Sequence, residues 1–373
     1  MVLFLYNIFE TMQKKIFAIL TLLIIYPPSN THASYRFSDF KAKPPIHVYK
    51  SALKKPSGIT PDQIKSFYNL PKTGGHGTIA IIGAYDDPTI ETDLNVFNTT
   101  FSLPACSTKN GCFEKHKMIT SIKADSGWSL ETSLDVEWAH AIAPDAKILL
   151  VEAITPSGKN LLDAIDYARS KKDVVAISMS WGGGEFPEEI SLDDHFKSDN
   201  VVFFASSGDN GSGVSWPASS PYVISVGGTT LKLNTDNSLP SETAWSGSGG
   251  GISKYENEPD YQKNYDIPKA KGKRAIPDVA YNADPKSGFP VYKKEGWYTV
   301  GGTSAGAPQW AAIQSLGLSV SHEKIYADKA SDNNRNYFKD IVSGKNGSCA
   351  YYCEARKHYD YVTGLGSPQT VHF

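Results

Sequence analysis

The sequence predicts an α/β fold of three layers, a central and mostly parallel sheet covered by helices on both faces, on three observations. First, "TIAIIGA" (78–84), "KILLVEA" (147–153), "DVVAISMS" (173–180), "VVFFASS" (201–207) and "YVISVGG" (222–228) are nearly unbroken apolar runs. Strands buried on both faces read this way. Second, helical patterns at Leu130 to Ile142, Leu161 to Ser170 and Glu188 to Lys197 fall between those runs, and such alternation is how a helix-covered parallel sheet is written. Third, no tract of linker composition divides the 373 residues, so 34–373 reads as one catalytic-size domain. Right-handed crossovers gather its loops at the carboxyl ends of the strands, where open sheets of this kind build their sites.

Before the domain, Met12-Gln13-Lys14-Lys15 precedes the apolar "IFAILTLLIIY", and "PPSNTHAS" offers a small-residue cleavage point after Ala33. Residues 1–33 therefore read as a secretory signal, with Met12 an alternative start. The run is short for a membrane span. Ser34 to about Lys72 is a polar lead-in with one short helix in "TPDQIKSFYNL", capped by Thr60 and begun by Pro61. The stretch from Thr230 to Gly296, richer in Gly, Pro and polar residues, reads as loops of the same domain. "GWYTVGG" is then a strand and turn, and "SAGAPQWAAIQSL" a helix with Ser304 in its first turn. Cys106 with Cys112 and Cys349 with Cys353 sit in loop-like sequence and read as local disulfides. Zinc fits less well, since neither pair is CxxC and no histidine stands at ligand spacing. A formal net charge of -2 gives no basic surface for nucleic acid or for an anionic membrane.

Ser304 lies in "GGTSAGAPQW", between small residues that let a substrate backbone approach, at a helix N-terminus that favours negative charge. A serine in that place can be a cap alone, so its reading as a nucleophile depends on finding a base. "GTSAG" satisfies the α/β-hydrolase elbow, which needs an acid and then a histidine downstream. Asp340 or Asp360 with His372 is the set on offer, with too little chain left for the strands that should carry it. A subtilisin-type histidine would lie upstream and open a helix, whereas His76 precedes a strand. Glu131 and Asp135, four apart on a helix that Ser129 can cap, share one face, and His140 falls on the opposite side. Acids so placed are ordinarily solvated, but Leu130, Leu134 and Trp138 surround this pair. Two such carboxyls hold one proton between them and titrate as a unit. Glu131 is then the candidate base for Ser304, with Asp135 orienting it. Asp209 ends the strand of "VVFFASSGDNGSG". It is either a turn residue or, protonated, a donor to a developing oxyanion alongside the Ser304 N–H. Both roles require an acidic working range.

In this order and these contexts, Glu131, Asp135, Asp209 and Ser304 resemble the sedolisin family of serine-carboxyl peptidases, which share the subtilisin fold. "TIAIIGAYDDPTIETDL", "LDVEWAHAIAPDAKILLVEA", "SMSWGGGE", "SSGDNG", "WPASSPYVISVGGTTL", "GGTSAGAP" and "TGLGSP" are similar to family segments in colinear succession. The resemblance implies that Glu131 replaces the subtilisin histidine, that Asp135 supports it, and that Asp209 replaces the oxyanion-hole asparagine. It also implies that Ser180, Trp181 and Gly182 form the extended segment on which a peptide lies as an added strand. One structural Ca2+ is implied near the C-terminus, on Asp340, Asp360 and the carbonyls of Ile341, Arg356 and His358, where Arg356 and His358 stand in place of the family's glycines. The expected protein is a secreted, acid-acting, monomeric endopeptidase of peptides or unfolded proteins, without a long prodomain. The alternatives are a tripeptidyl exopeptidase of the same family, a catalytically silent binding protein, an α/β-hydrolase esterase and a histidine-dependent subtilisin.

Overall fold

The computed structural model describes residues 36–233, 240–294, 296–327 and 337–369; the expected signal at 1–33 lies outside them, as does His372. Residues 36–373 form one unit. Its strands are β1 (His47–Leu53), β2 (Thr78–Ala84), β3 (Phe113–Lys117), β4 (Lys147–Ala153), β5 (Val174–Met179), β6 (Val202–Ser206), β7 (Val223–Lys232), β8 (Ser241–Ala244), β9 (Val279–Asn282), β10 (Phe289–Lys293) and β11 (Gly296–Gly301). The main sheet runs β8-β7-β6-β5-β2-β4-β3, with β9 also paired to β7. All its pairings are parallel except β7 with β8. A second sheet, β1-β11-β10, is antiparallel.

Alternate residues of the central strands feed two cores. Ile79, Ile81, Ile148 and Leu150 face one cluster with Leu134, Trp138, Ala311 and Ile313. That side is covered by α2 (Ile90–Phe101), α3 (Ser126–Ile142) and α5 (Gly306–Ser315). Ala80, Ile82, Leu149 and Val151 face the other, with Leu161, Ala164 and Ile165 of α4 (Gly158–Arg169). The period-2 alternation of a strand thus fills both faces, which is why each strand reads as an unbroken apolar run. The short α1 (Pro61–Phe67) carries the expected Thr60 cap, its side chain accepting from the Gln63 N–H.

Three expectations are corrected. Residues 230–296 are not only loops: they hold β8, β9, β10, a hairpin of Gly251–Asn257 with Lys273–Ile276, and a helix at Asp260–Tyr265. These strands are short and interrupted by Gly, Pro and Lys, and the hairpin encloses a helix instead of a tight turn, so no local turn signal announces it. The segment expected as a helix over 188–197 is a 3-10 helix, Glu189–Phe196. The helix of the two acids begins a turn earlier than its apolar pattern does: Asp125, not Ser129, caps it, accepting from the Gly127 and Trp128 N–H groups, while the Ser129 hydroxyl donates to the Asp86 carbonyl. The two disulfides are formed, Cys106–Cys112 and Cys349–Cys353.

Beneath the carboxyl-terminal half of the sheet, Arg274 and Asp278 form a fully buried bidentate pair, with Nη1 to Oδ1 at 2.8 Å and Nη2 to Oδ2 at 2.5 Å. Burial alone would raise the Asp278 carboxyl, but the guanidinium and His322 override it and hold the group well below the usual carboxylate range. Asp278 also accepts from the Ser225 N–H and from the Tyr326 hydroxyl, so the pair ties β7 to the segment before β9. Removing one member leaves the other charged and dry, which costs about 3–5 kcal/mol. Asp278→Ala should lower unfolding stability in urea by about that amount, and Tyr222→Ala, at an exposed surface position, by less than about 0.5 kcal/mol.

Candidate active site

The site lies at the carboxyl ends of β5 and β6. Ser180 follows β5, the turn carrying Asp209 follows β6, α3 crosses above β2 with its two acids facing inward, and the 3-10 turn Thr303–Ala305 brings in Ser304 just before α5. Glu131, Asp135, Ser180 and Ser304 are all buried. α3 and α5 are among the most closely packed helix pairs, and this packing brings together Glu131 and Ser304, which are far apart in sequence.

Burial is the first cause that raises the Glu131 carboxyl well above the usual range; the neighbouring Asp135 charge is the second. Ser304 and Asp135 are the polar side chains that bear most directly on it, yet neither Glu131 oxygen holds a well-aligned hydrogen bond. Asp135 is raised in the same direction, again by burial. Its Oδ1 is 2.6 Å from the Ser180 hydroxyl, which also lies 3.1 Å from the Ser304 carbonyl. A hydroxyl has one proton, so it donates to an ionised Asp135, and it donates to the Ser304 carbonyl when Asp135 is protonated. The charge state of the acid pair is thereby coupled to the backbone of the nucleophile. The Ser304 hydroxyl itself points at the Ser180 carbonyl, 3.4 Å away.

Asp209 is held by Thr303, whose N–H and hydroxyl donate to Oδ1 at 2.8 and 2.7 Å. Its Oδ2 lies 3.1 Å from His47 Nε2 without an aligned hydrogen bond. Burial raises this carboxyl too, against the opposing pull of His47 and Thr303. Gly302 makes the approach possible. Its φ is +124°, and a Cβ there would sit 2.1 Å from the Pro45 carbonyl oxygen and 2.5 Å from Asp209 Oδ2, so only glycine fits.

The four candidate catalytic residues are therefore brought together. His76 and His140 are not part of the group: His140 is buried with Nε2 against the Pro104 carbonyl, beside the Cys106–Cys112 disulfide. Of the segment expected to hold substrate, Trp181 turns its side chain inward. Its indole is fully buried and its N–H donates to the Ile82 carbonyl, so the side chain belongs to the core. Ser180 turns its hydroxyl to Asp135, and Gly182 alone offers free-edge backbone, where Lys43 pairs with it. Sequence reasoning missed Thr303 and His47. Thr303 was within reach, as the neighbour of Ser304 in a motif already singled out. His47 had no signal, because its contact spans 162 positions of chain.

At the C-terminus, Asp340 Oδ2 accepts from the His358 N–H, and Asp360 accepts from the N–H groups of Arg356, Val362 and Thr363 and from the Thr363 hydroxyl. Burial pushes Asp360 up to about 7, and among the described residues no cationic side chain pairs with it. His358 keeps a positive φ of 68° although it is not glycine. A buried carboxylate with no cationic partner among the described residues suits a hard cation in its chemistry, but a cation would have to displace donors that now face the two acids, the Thr363 hydroxyl and the Arg356 N–H at Asp360 Oδ2 and the His358 N–H at Asp340 Oδ2.

Comparison with known proteins gives a consistent result. Residues 118–332 match the model of the subtilase family. Kumamolisin of Bacillus sp. (strain MN-32) is 31% identical, over 86% of this chain and 63% of its own length. Tripeptidyl-peptidase 1 of Dictyostelium discoideum is 26% identical, over 83% of this chain and 57% of its own. The chain thus spans about three fifths of the length of these relatives. A solved Pseudomonas sedolisin, a serine-carboxyl proteinase complexed with two molecules of pseudo-iodotyrostatin, superposes with a TM-score of 0.71 at 26% identity, covering 84% of this chain and 96% of that one.

The pH dependence of stability follows from the buried acids. Burial raises Asp193 to about 6, Glu152 to about 7, and Glu189 and Glu256 to about 8, in the same direction as the catalytic three. A carboxyl raised on folding binds more protons in the native state. Its stabilising contribution is full below the unfolded value and is lost as pH rises through the folded one. The urea midpoint should therefore fall steadily between pH 5 and pH 8; a midpoint that rises across that window would contradict the raised acids.

Proposed function

Because the chain belongs to the subtilase family and, within it, to the sedolisins, we propose that it is a serine-carboxyl peptidase that hydrolyses peptide bonds through an acyl-enzyme on Ser304. The observation that carries this reading is the burial of Glu131, Asp135 and Ser304 against one another, with the Asp209 carboxyl, 5% exposed, held beside them by Thr303 and no histidine among the two acids and the serine. In the reaction Glu131 takes the Ser304 hydroxyl proton as Oγ attacks the substrate carbonyl. Asp135 shares that proton, and the Ser180 hydroxyl adjusts to the change in charge. Asp209, protonated at Oδ2, donates to the oxyanion while Thr303 holds its other oxygen. Glu131 then returns the proton to the leaving amine, and water repeats the sequence on the ester. The base needs one carboxylate ionised and the oxyanion donor needs one carboxyl protonated, so activity should be confined to an acidic range, bell-shaped in pH.

The substrate is a peptide or unfolded protein lying antiparallel on Gly182. Chain already runs through this groove, entering beside Gly182 and leaving along β11. A groove open at both ends accepts the interior of a polypeptide, which favours internal cleavage over removal of tripeptides. The protein acts outside the cell. Among the described residues no helix is long and apolar enough to cross a membrane, and two disulfides suit an oxidising compartment. One Ca2+ binds at Asp340 and Asp360 with the carbonyls of Ile341, Arg356 and His358, where it would supply a structural counter-charge and take no part in the chemistry.

The deciding measurement is hydrolysis of an acid-denatured protein from pH 2 to 8. Wild type should cleave only in the acid half. Ser304→Ala and Glu131→Gln should each lose at least about a thousandfold in kcat while their urea midpoints stay close to wild type. An optimum at neutral pH with a histidine-type limb would end the carboxylate mechanism. For calcium, the thermal midpoint with added Ca2+ and with chelator should differ by several degrees in the wild type, and the difference should vanish in Asp360→Asn.

A further inference from the structure

At the end of the sheet opposite the candidate active site, a cavity of about 510 Å3 opens among the starts of β6 and β7, the 3-10 helix Glu189–Phe196, the end of the strand Gly251–Asn257 and the short helix His322–Tyr326. Val202 begins β6 on its wall, whereas the turn carrying Asp209 follows the other end of that strand. The five residues of β6 put about 15 Å between the two places, so an occupant of this cavity does not touch Ser304.

The lining carries charge of one sign. Asp193, Glu256, Glu258, Asp260 and Glu323 contribute carboxyls, and no Lys or Arg is among the lining residues. Two of these acids are engaged: Asp260 pairs with Lys263 at 2.9 Å, and Asp193 accepts from the Ser220 hydroxyl at 2.6 Å. Glu256 is different. It is 2% exposed, and its Oε1 is closed off without a hydrogen-bond partner. Arg274 and Lys273 act on it only from a distance, the first committed to Asp278 and the second to the Tyr255 carbonyl and Asn257. A desolvated carboxyl must hold a proton or meet a cation. The rest of the wall is aromatic. Tyr222, exposed at the mouth, carries the Lys197 ammonium 4.9 Å from its ring centre. Tyr261 is fixed by its hydroxyl to the Pro221 carbonyl and stacks on His322 at 4.4 Å. Ring faces beside carboxyls receive organic cations. A metal ion fits less well: among the described residues, the one group of three potential ligands whose atoms all lie within 4.8 Å of one another is Cys106, Cys112 and His140, so these acids are too widely spaced to share a single ion.

We propose that this cavity is a second binding site, which takes the guanidinium and aliphatic stem of an arginine side chain presented by a peptide. The planar fork of donors spans Glu256 and Asp193, two carboxyls that a compact ion does not bridge, and its flat face lies against a tyrosine ring. The stem is covered by Phe196 and Tyr222. A lysine ammonium lacks both the fork and the plane, and binds more weakly. The site is independent of the peptidase reading and would persist in a chain that cleaves nothing.

Burial raises Glu256 to about 8 and Asp193 to about 6, so protons serve until a cation replaces them. The charged groups that bear on Glu256 are Glu185, Glu189 and Asp193 on one side and Lys273 and Arg274 on the other, and His322 lies on the same wall. A bound cation favours the ionised carboxyls and expels their protons, and a charged His322 opposes it. Affinity therefore falls on acidification.

The test is calorimetric titration of the full chain carrying Ser304→Ala, in which no probe is cut. At pH 7.5 Nα-acetyl-arginine methylamide should saturate in the low millimolar range or below. The lysine analogue should bind at least about fivefold more weakly, and the citrulline analogue, which keeps the shape and loses the charge, at least about tenfold more weakly. Glu256→Gln should weaken arginine binding at least about tenfold. Tyr222→Ala, at the exposed mouth, should weaken it about threefold with an unchanged urea midpoint, which decides the matter should Glu256→Gln fold poorly. From pH 8 to pH 6 the affinity should drop at least about fivefold, with proton release on binding. Equal binding of arginine and citrulline, no saturation by about 50 mM, or indifference to both variants would overturn the proposal. So would one-for-one displacement of arginine by Ca2+, which would reassign the cavity to a metal, or agmatine binding at least about tenfold more tightly than the capped residue, which would make the ligand a free diamine.

Discussion

Everything about this site follows from keeping three carboxyl groups out of water. Glu131 and Asp135 sit one turn apart on a helix whose whole inner side is pressed between α2, α5 and the sheet, and Asp209 is shut in by the turn that precedes the nucleophile. In water such acids ionise separately and none is a useful base or donor near neutrality. Dehydration makes them share and retain protons. The protein supplies that dehydration with the same two-faced sheet that gives it a core, so stability and catalysis draw on one set of packed helices. The raised carboxyls are then a property of the interior.

The parts of the fold most legible in the sequence are those governed by period. Strands buried on both sides carry long apolar runs, and β2, β4, β5, β6 and β7 were all readable for that reason. The candidate site residues were readable where the local pattern was unusual: two acids amid Leu130, Leu134 and Trp138, a serine between glycines, an aspartate closing an apolar strand. The hairpin of 251–276 and strands β8 to β10 were illegible because they are short and set among Gly, Pro and Lys, although β9 and most of β10 are buried. The side chain of Trp181 was ambiguous because an aromatic beside a glycine run reads equally well as a groove wall or as core, and its indole contact with Ile82 places it in the core. The contact of His47 with Asp209 had no local trace, since it joins a lead-in segment to a turn on the far side of the sheet order.

Arg274 and Asp278 show the opposite use of buried charge. There a cation and an anion meet in good geometry and the carboxyl is held well below its usual range; at Glu131 and Asp135 two acids meet with no cation, and burial raises both. The fold thus meets the same desolvation problem in two ways, by pairing the charge and by retaining the proton.

The lead-in segment is fastened at both ends, by Phe40 against Phe186 and Trp216 and by β1 along β11. Its backbone is therefore bound into the folded unit although its own composition is that of a loop, and unfastening it would uncover both an aromatic cluster and the edge of β11.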